Sequence, residues 1–184
     1  MKAEGARFYD NLWEFVFKER KSSKRRAWER MKDLARAASK EVVGSVLDWG
    51  CGFGFLSEFV RGPYLGVDFS PFVIKTAKGL HPEAEFLVGD IRDFQSPDMF
   101  DTVVMLEVLE HLDDPHGAVE SARKLARKRI VISVPRGKSR SGDHVWKDID
   151  REDVLELLGE GATCQQYRRK WLGVWEDNAI KVSV

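Results

Sequence analysis

The 184-residue chain has little of what marks membrane-spanning, secreted or disordered proteins. No apolar run approaches the roughly 20 residues that a helix needs to cross a bilayer. The opening Met1-Lys2-Ala3-Glu4-Gly5 lacks the apolar stretch of a signal peptide. Both absences predict a cytoplasmic protein with no membrane partner. Only two cysteines are present, Cys51 and Cys164, at no spacing of the metal-site or disulfide-framework kind, so neither is expected to be bridged. Asn and Gln together number five against 60 charged residues, a bias that resembles heat-adapted proteins. Net charge is missing as well, with 30 basic residues balancing 30 acidic ones. What is there, 43% hydrophobic and 11% aromatic residues, is enough for one folded domain of ordinary size.

The zero sum hides segregation. From Lys18 to Lys40 there are ten basic and three acidic residues; from Glu83 to Glu120, eleven acidic and one basic; from Arg123 to Arg140, eight basic and none acidic. Blocks of this kind place charge on particular faces of a fold.

Residues 6–40 read as two helices, separated at Ser22-Ser23. Phe8, Leu12, Phe15 and Val16 recur at helical spacing in the first, and Trp28, Met31, Ala35 and Ala38 in the second. This aromatic stripe either packs into the core or forms a lid over a site, and residues 1–40 are read as a helical cover belonging to the same domain as 41–184. From Val42 short apolar runs alternate with helical stretches. The strand candidates are Val46 to Asp48, Tyr64 to Asp68, Phe86 to Asp90, Thr102 to Leu106 and Ile130 to Val134. Ser70-Pro71 and Asp114-Pro115 each supply a helix cap followed by proline at the first helical position. A helix is expected from about Arg151 to Leu158, stopped by Gly159 and Gly161, and two last extended stretches, 163–171 and 178–184, are expected to pair antiparallel on the sheet edge. The alternation predicts an α/β fold with a parallel sheet covered on both faces.

The acids fall at one edge of that sheet. Asp48, Asp68, Asp90 and Glu107 end the strand candidates or lie beside their ends, at intervals of 20, 22 and 17 residues, the length of one strand-helix unit. In an open parallel sheet the carboxyl ends of the strands line the ligand crevice. Between the first strand and an expected helix stands Asp48-Trp49-Gly50-Cys51-Gly52-Phe53-Gly54, whose glycines permit a tight turn and close approach to a ligand. A dinucleotide fingerprint would want a glycine at Phe55, and no Lys or Arg falls between Val42 and Val60 to greet a pyrophosphate. A nucleoside carrying a cation fits better. Asp68 can accept from both ribose hydroxyls and Asp90 from an adenine amino group, while the acidic edge favours a sulfonium and an ammonium. S-adenosyl-L-methionine is such a ligand.

These segments resemble the class I S-adenosylmethionine-dependent methyltransferases, of the type 11-like kind, in order from Val46 to Pro135. The pieces are Leu47 to Gly54, Val67-Asp68-Phe69-Ser70, Val88-Gly89-Asp90-Ile91, Phe100 to Val104 running into Glu107-Val108-Leu109-Glu110-His111-Leu112, and Ile132 to Pro135. The resemblance implies a Rossmann-like, doubly wound, mostly parallel seven-stranded sheet with helices on both faces and an antiparallel edge strand. It implies an S-adenosylmethionine-dependent methyltransferase whose cofactor contacts are Gly50, Cys51, Gly52, Asp68, Phe69, Asp90, Ile91, Leu106 and Glu107, with Asp48 supporting the loop and the methionine end.

Methyl transfer from a sulfonium needs mainly alignment and exclusion of water. His111 is the candidate base for a protonated acceptor, because its ordinary pKa lies near neutrality; the alternative is that it orients the loop. No metal is expected. A sharper alternative joins Glu107, Glu110, His111 and His144 around a divalent cation, an arrangement resembling that of metal-assisted O-methyltransferases. The acceptor is expected to be a small molecule. An RNA or protein acceptor, met by the basic segments 1–40 and 136–150, and a non-catalytic cofactor-binding partner subunit are the alternatives. A nicotinamide oxidoreductase is a further rival for the glycine loop.

Overall fold

The computed structural model describes residues 22–139 and 141–177. The first expected helix and the stretch 178–184 lie outside the described residues. Helix α1 spans Ser22–Ala38, so the serine pair expected to separate two helices lies within it. A short 3-10 turn, Ser39–Glu41, leads from α1 toward the sheet.

Among the described residues seven strands follow: β1 Val46–Trp49, β2 Tyr64–Asp68, β3 Glu85–Val88, β4 Phe100–Leu106, β5 Ala126–Pro135, β6 Thr163–Tyr167 and β7 Lys170–Glu176. Their order is β3-β2-β1-β4-β5-β7-β6. β1 to β5 are parallel, and β7 is antiparallel to β5 and to β6. The chain leaves β1 in one direction to reach β2 and β3, then returns to place β4 on β1's other side. That reversal opens the ligand crevice between the carboxyl ends of β1 and β4.

Helices α2 Pro71–Leu80, α3 Pro115–Leu125 and α4 Arg151–Leu158 start where the sequence marks them. The hydroxyl of Ser70 accepts from Val73 N–H at 3.1 Å, and Asp114 Oδ1 accepts from Gly117 N–H at 2.8 Å. Each satisfies an amide that the first helical turn leaves unpaired. Strand alternation sorts the core into two layers. Leu47, Trp49, Val103, Met105, Ile130 and Ile132 face α3 and α4, while Val46, Val104 and Val131 face the other side, with Ala35 and Ala38 of α1, Phe53, Leu56 and Val73.

Two expectations change. The glycine loop opens only a 3-10 turn, Phe55–Glu58, not an α-helix; Gly62-Pro63 already turns the chain into β2, leaving too few residues for regular turns. The stretch 163–171 is not one strand but breaks at Arg168-Arg169, so among the described residues the antiparallel edge pair is 163–167 with 170–176. Its hairpin carries neither Gly nor Asn, the residues that ordinarily announce such a turn.

Candidate cofactor and methyl-transfer site

The crevice at the β1/β4 switch point is a cavity with a glycine-loop floor. Gly50, Gly52 and Gly54 all have positive φ, and Gly50 and Cys51 donate their N–H groups to Val67 O at 2.7 and 3.0 Å, tying the loop to β2. At Gly50 a β-carbon would lie 2.4 Å from Val108 Cγ2, so the close approach of the loop and the segment after β4 excludes a side chain there. At Gly52 a β-carbon would meet nothing within 4 Å. Open space above a left-handed glycine leaves room for a ligand at the backbone.

Asp68 ends β2 nearly buried and pins the loop, with Oδ2 accepting from Gly52 N–H at 3.1 Å and Oδ1 from Ser70 N–H at 3.0 Å. Asp48, 3% exposed at the end of β1, accepts from the Tyr64 hydroxyl at 2.7 Å. Burial pushes its carboxyl up to about 7, against the Tyr64 hydrogen bond and with the help of the Asp68 charge. Burial, with these two acids, also pushes the Cys51 thiol well up, so Cys51 acts as a small apolar wall. Both cysteines are free.

Phe69, Gly89, Asp90, Ile91 and Arg92 line one end of the cavity, and Leu106, Glu107, Val108, His111 and Leu112 the other. The sequence-predicted cofactor residues are thus all brought to one crevice. Asp90 differs in its partners: Arg92 donates its backbone N–H and Nε to Oδ1 at 3.0 and 2.8 Å, and its guanidinium also pairs with Oδ2. Of the two readings of the α1 stripe, core packing or a lid, both hold in part: Met31, Leu34 and Ala35 wall the cavity, and Leu34, which the stripe did not include, is the residue sequence reading missed. The helical stripe announced an apolar face there without deciding between core and site.

Beyond Leu106 the polar groups divide. Glu107 takes a left-handed backbone, φ 58°, and its N–H donates to the Ser133 oxygens. Its carboxylate accepts from the Ser133 hydroxyl at 3.0 Å and pairs with the Lys170 ammonium. Glu110, His111 and His144 form a separate group whose ligating atoms lie within 4.8 Å of one another. Glu107 is not in it, so the alternative set of Glu107, Glu110, His111 and His144 loses its first member; the turn at Leu109–His111 is 3-10 and begins after Glu107 has turned away. His111 Nδ1 faces Asp143, 3.2 Å from its backbone oxygen and 3.5 Å from Oδ2, and the His144 ring stands edge-on to it with centroids 4.8 Å apart. The loop after β5 is anchored here because Val145 and Trp146 both donate to Glu110 O, at 2.8 and 3.1 Å. Glu110 is 1% exposed, and burial pushes its carboxyl up to about 8.

Residues 47–132 match the family model described as a methyltransferase domain. The ubiquinone biosynthesis O-methyltransferase of Stutzerimonas stutzeri is 28% identical over 145 residues, covering 73% of this chain and 62% of that protein. The mitochondrial ubiquinone biosynthesis O-methyltransferase of Schizosaccharomyces pombe is 34% identical over 100 residues, covering 48% and 36%. The chain therefore spans between about a third and two thirds of the length of these curated relatives. Among solved structures, magnesium protoporphyrin IX methyltransferase from Synechocystis PCC 6803 with bound S-adenosylhomocysteine shares the fold at TM-score 0.69 and 17% identity, covering 90% of this chain and 93% of that one. Residues 47–132 thus carry a methyltransferase domain, and the chain has the fold of S-adenosylmethionine-dependent methyltransferases. The N-methyltransferase NodS from Bradyrhizobium japonicum WM9, with S-adenosylhomocysteine, shares that fold at TM-score 0.67 and 21% identity, over 82% of this chain and 87% of its own.

The crevice fits the family's cofactor on its own chemistry. It offers a left-handed glycine backbone open to the cavity, a carboxylate at the end of β2, apolar walls from Ile91 and α1, and acids at the end where a sulfonium and an ammonium would lie. No described helix is long and apolar enough to cross a membrane.

Proposed function

We propose that this methyltransferase transfers a methyl group from S-adenosyl-L-methionine to a small-molecule acceptor. The observation that carries the reading is the α1-walled cavity itself, with Asp68 and the glycine loop at its floor and His111 at its rim. S-adenosyl-L-methionine supplies a methyl already activated on sulfonium. The protein's part is to hold Asp68 and Asp90 toward the nucleoside, Asp48 and Gly50 to Gly52 at the methionine end, and to keep water out with Met31, Leu34 and Leu112. His111, held at Nδ1 by Asp143, is the group placed to take a proton from a hydroxyl, thiol or amine acceptor. A largely apolar crevice suits a small acceptor, as do relatives named for ubiquinone biosynthesis. A cytoplasmic site of action accords with the absence of a membrane-spanning helix among the described residues.

A second reading is favoured by one observation. Glu110 Oε2 and His144 Nδ1 are buried and lack a hydrogen-bond partner, although their group includes a third ligand, His111. Unpaired buried polar atoms are costly, and a divalent cation held by the three would satisfy them and polarise an acceptor hydroxyl. The acceptor class is tested by incubation of the protein with methyl-labelled S-adenosyl-L-methionine and fractionated cell extract. Label in the small-molecule pool supports the proposal. Label in RNA or protein shifts it to those acceptors, and cofactor binding without label in any pool identifies a binding subunit.

A further inference from the structure

The hairpin between β6 and β7 has an unexpected residue at its turn. Arg168 adopts φ 55°, a left-handed conformation that a two-residue hairpin usually gives to Asn or Gly because a β-carbon crowds the backbone there. Such local strain persists when the side chain has a use. Here the Arg168 guanidinium reaches across to α1 and pairs with the Asp33 carboxylate at 2.8 Å. The neighbouring Tyr167 hydroxyl donates to the backbone oxygen of the same Asp33 at 3.1 Å. Two consecutive hairpin side chains, from the far edge of the sheet, thus converge on one helical residue 134 and 135 positions away.

Asp33 is flanked on α1 by the residues that wall the cavity, Met31, Leu34 and Ala35. The opposite side of the helix is held by Lys32, whose ammonium pairs with Glu58 at 2.7 Å, and by Trp28, packed on Phe53 and Phe55 with centroids 5.1 and 4.6 Å apart. The carboxyl end is fixed by fully buried Ala38 and the turn that follows. The helix is therefore anchored at its end and, along its length, by Trp28 on the buried Phe53 and Phe55 and by two ion pairs of more exposed side chains, Lys32 with Glu58 and Asp33 with Arg168. We infer that Arg168 is a positioning residue of the cofactor site: through Asp33 it holds α1 closed over the crevice and sets how fast the cofactor leaves.

The inference rests on the crevice being the cofactor site, and the test separates the two. S-adenosylhomocysteine is bound to the full chain and its dissociation is followed by stopped-flow displacement, beside a thermal melt. Arg168→Gly removes the tie and at the same time relieves the left-handed backbone. Dissociation is expected to speed by about two- to fivefold, and by up to about tenfold with Tyr167→Phe added, while the melting temperature holds or rises. Arg168→Lys should recover part of the slow rate. Adding Asp33→Ser to Arg168→Gly should bring little further acceleration, because both act through one contact. An unchanged dissociation rate in Arg168→Gly, or acceleration only in step with a falling melting temperature, overturns the inference while leaving the cofactor site standing. Failure of the unaltered protein to bind S-adenosylhomocysteine overturns the cofactor site itself.

Discussion

Glu107 points its carboxylate at Lys170 across the end of the sheet, away from Glu110, although Glu110 is only three residues further along the chain. The pair puts an internal cation beside an acid that lines the cavity. Burial draws the Lys170 ammonium down to about 8, and the like charge of Arg30 on α1 acts in the same direction. Among the four strand-end acids, Glu107 and Asp90 are each paired to a cation of the protein itself, Glu107 to Lys170 and Asp90 to Arg92. Lys170→Met frees the charge of Glu107. Affinity for S-adenosylmethionine, which carries the sulfonium, should then rise relative to S-adenosylhomocysteine by about two- to fivefold at low salt, and less at high salt. Titration calorimetry of both ligands checks it, and an unchanged ratio would place Glu107 away from the sulfonium.

Asp68 has two tasks, and its removal should report both. Asp68→Ala deletes the acceptor for Gly52 N–H and Ser70 N–H as well as the proposed acceptor for the ribose hydroxyls. Cofactor binding should weaken by about 1–3 kcal/mol. Asp68→Asn keeps one acceptor oxygen and should lose less. Equal affinities for all three proteins, measured by calorimetry, would remove Asp68 from the site.

The parts of this fold that were legible in the sequence are those written in local chemistry. β1 to β5 are apolar runs closed by turn residues, and α2 and α3 begin at Ser70-Pro71 and Asp114-Pro115, where cap and proline state the start outright. The acids at strand ends were legible because one strand-helix unit has a narrow length range. The rest depends on contacts distant in sequence. Glu107 and Lys170 are 63 residues apart, so spacing alone grouped Glu107 with Glu110 and His111. The β6–β7 break has no glycine to announce it, because Arg168 occupies the left-handed position. The cavity wall of α1 reads in sequence equally as a buried stripe or a lid, since Met31 and Leu34 look the same against a core as against a ligand.

Asp48 gives the protein a pH dependence of definite sign. Its folded-state pKa of about 7 exceeds the unfolded value of 3.8, so the folded protein holds this proton more tightly. The associated stability is fully present below about pH 4 and is lost as pH rises toward 7, by at most about 4 kcal/mol. Binding a sulfonium and an ammonium favours the ionised carboxylate. Cofactor affinity should therefore rise between about pH 5 and 7, with up to one proton released on binding at pH 6. Calorimetry in buffers of different ionisation enthalpy measures that proton. Asp48→Asn, which keeps an acceptor for the Tyr64 hydroxyl, should abolish the release and flatten stability across the same window. Proton release unchanged in this variant would assign it to another group.

Glu110, His111 and His144 decide between a base and a metal centre without knowledge of the acceptor. A cation that binds the folded protein and not the unfolded chain stabilises it by mass action, by about 2.7 kcal/mol at a concentration 100 times its dissociation constant. Chelator-treated protein titrated with Zn²⁺ or Mn²⁺ should show that rise in melting temperature if the three residues ligate. Glu110→Gln and His144→Ala should each remove it, whereas Glu107→Gln should not, because Glu107 belongs to Lys170 and Ser133. A rise that survives both ligand substitutions comes from another site. No rise in the unaltered protein leaves His111, oriented by Asp143, as the acceptor's base, and His111→Ala should then lower methyl transfer by about 10²- to 10⁴-fold with cofactor affinity retained.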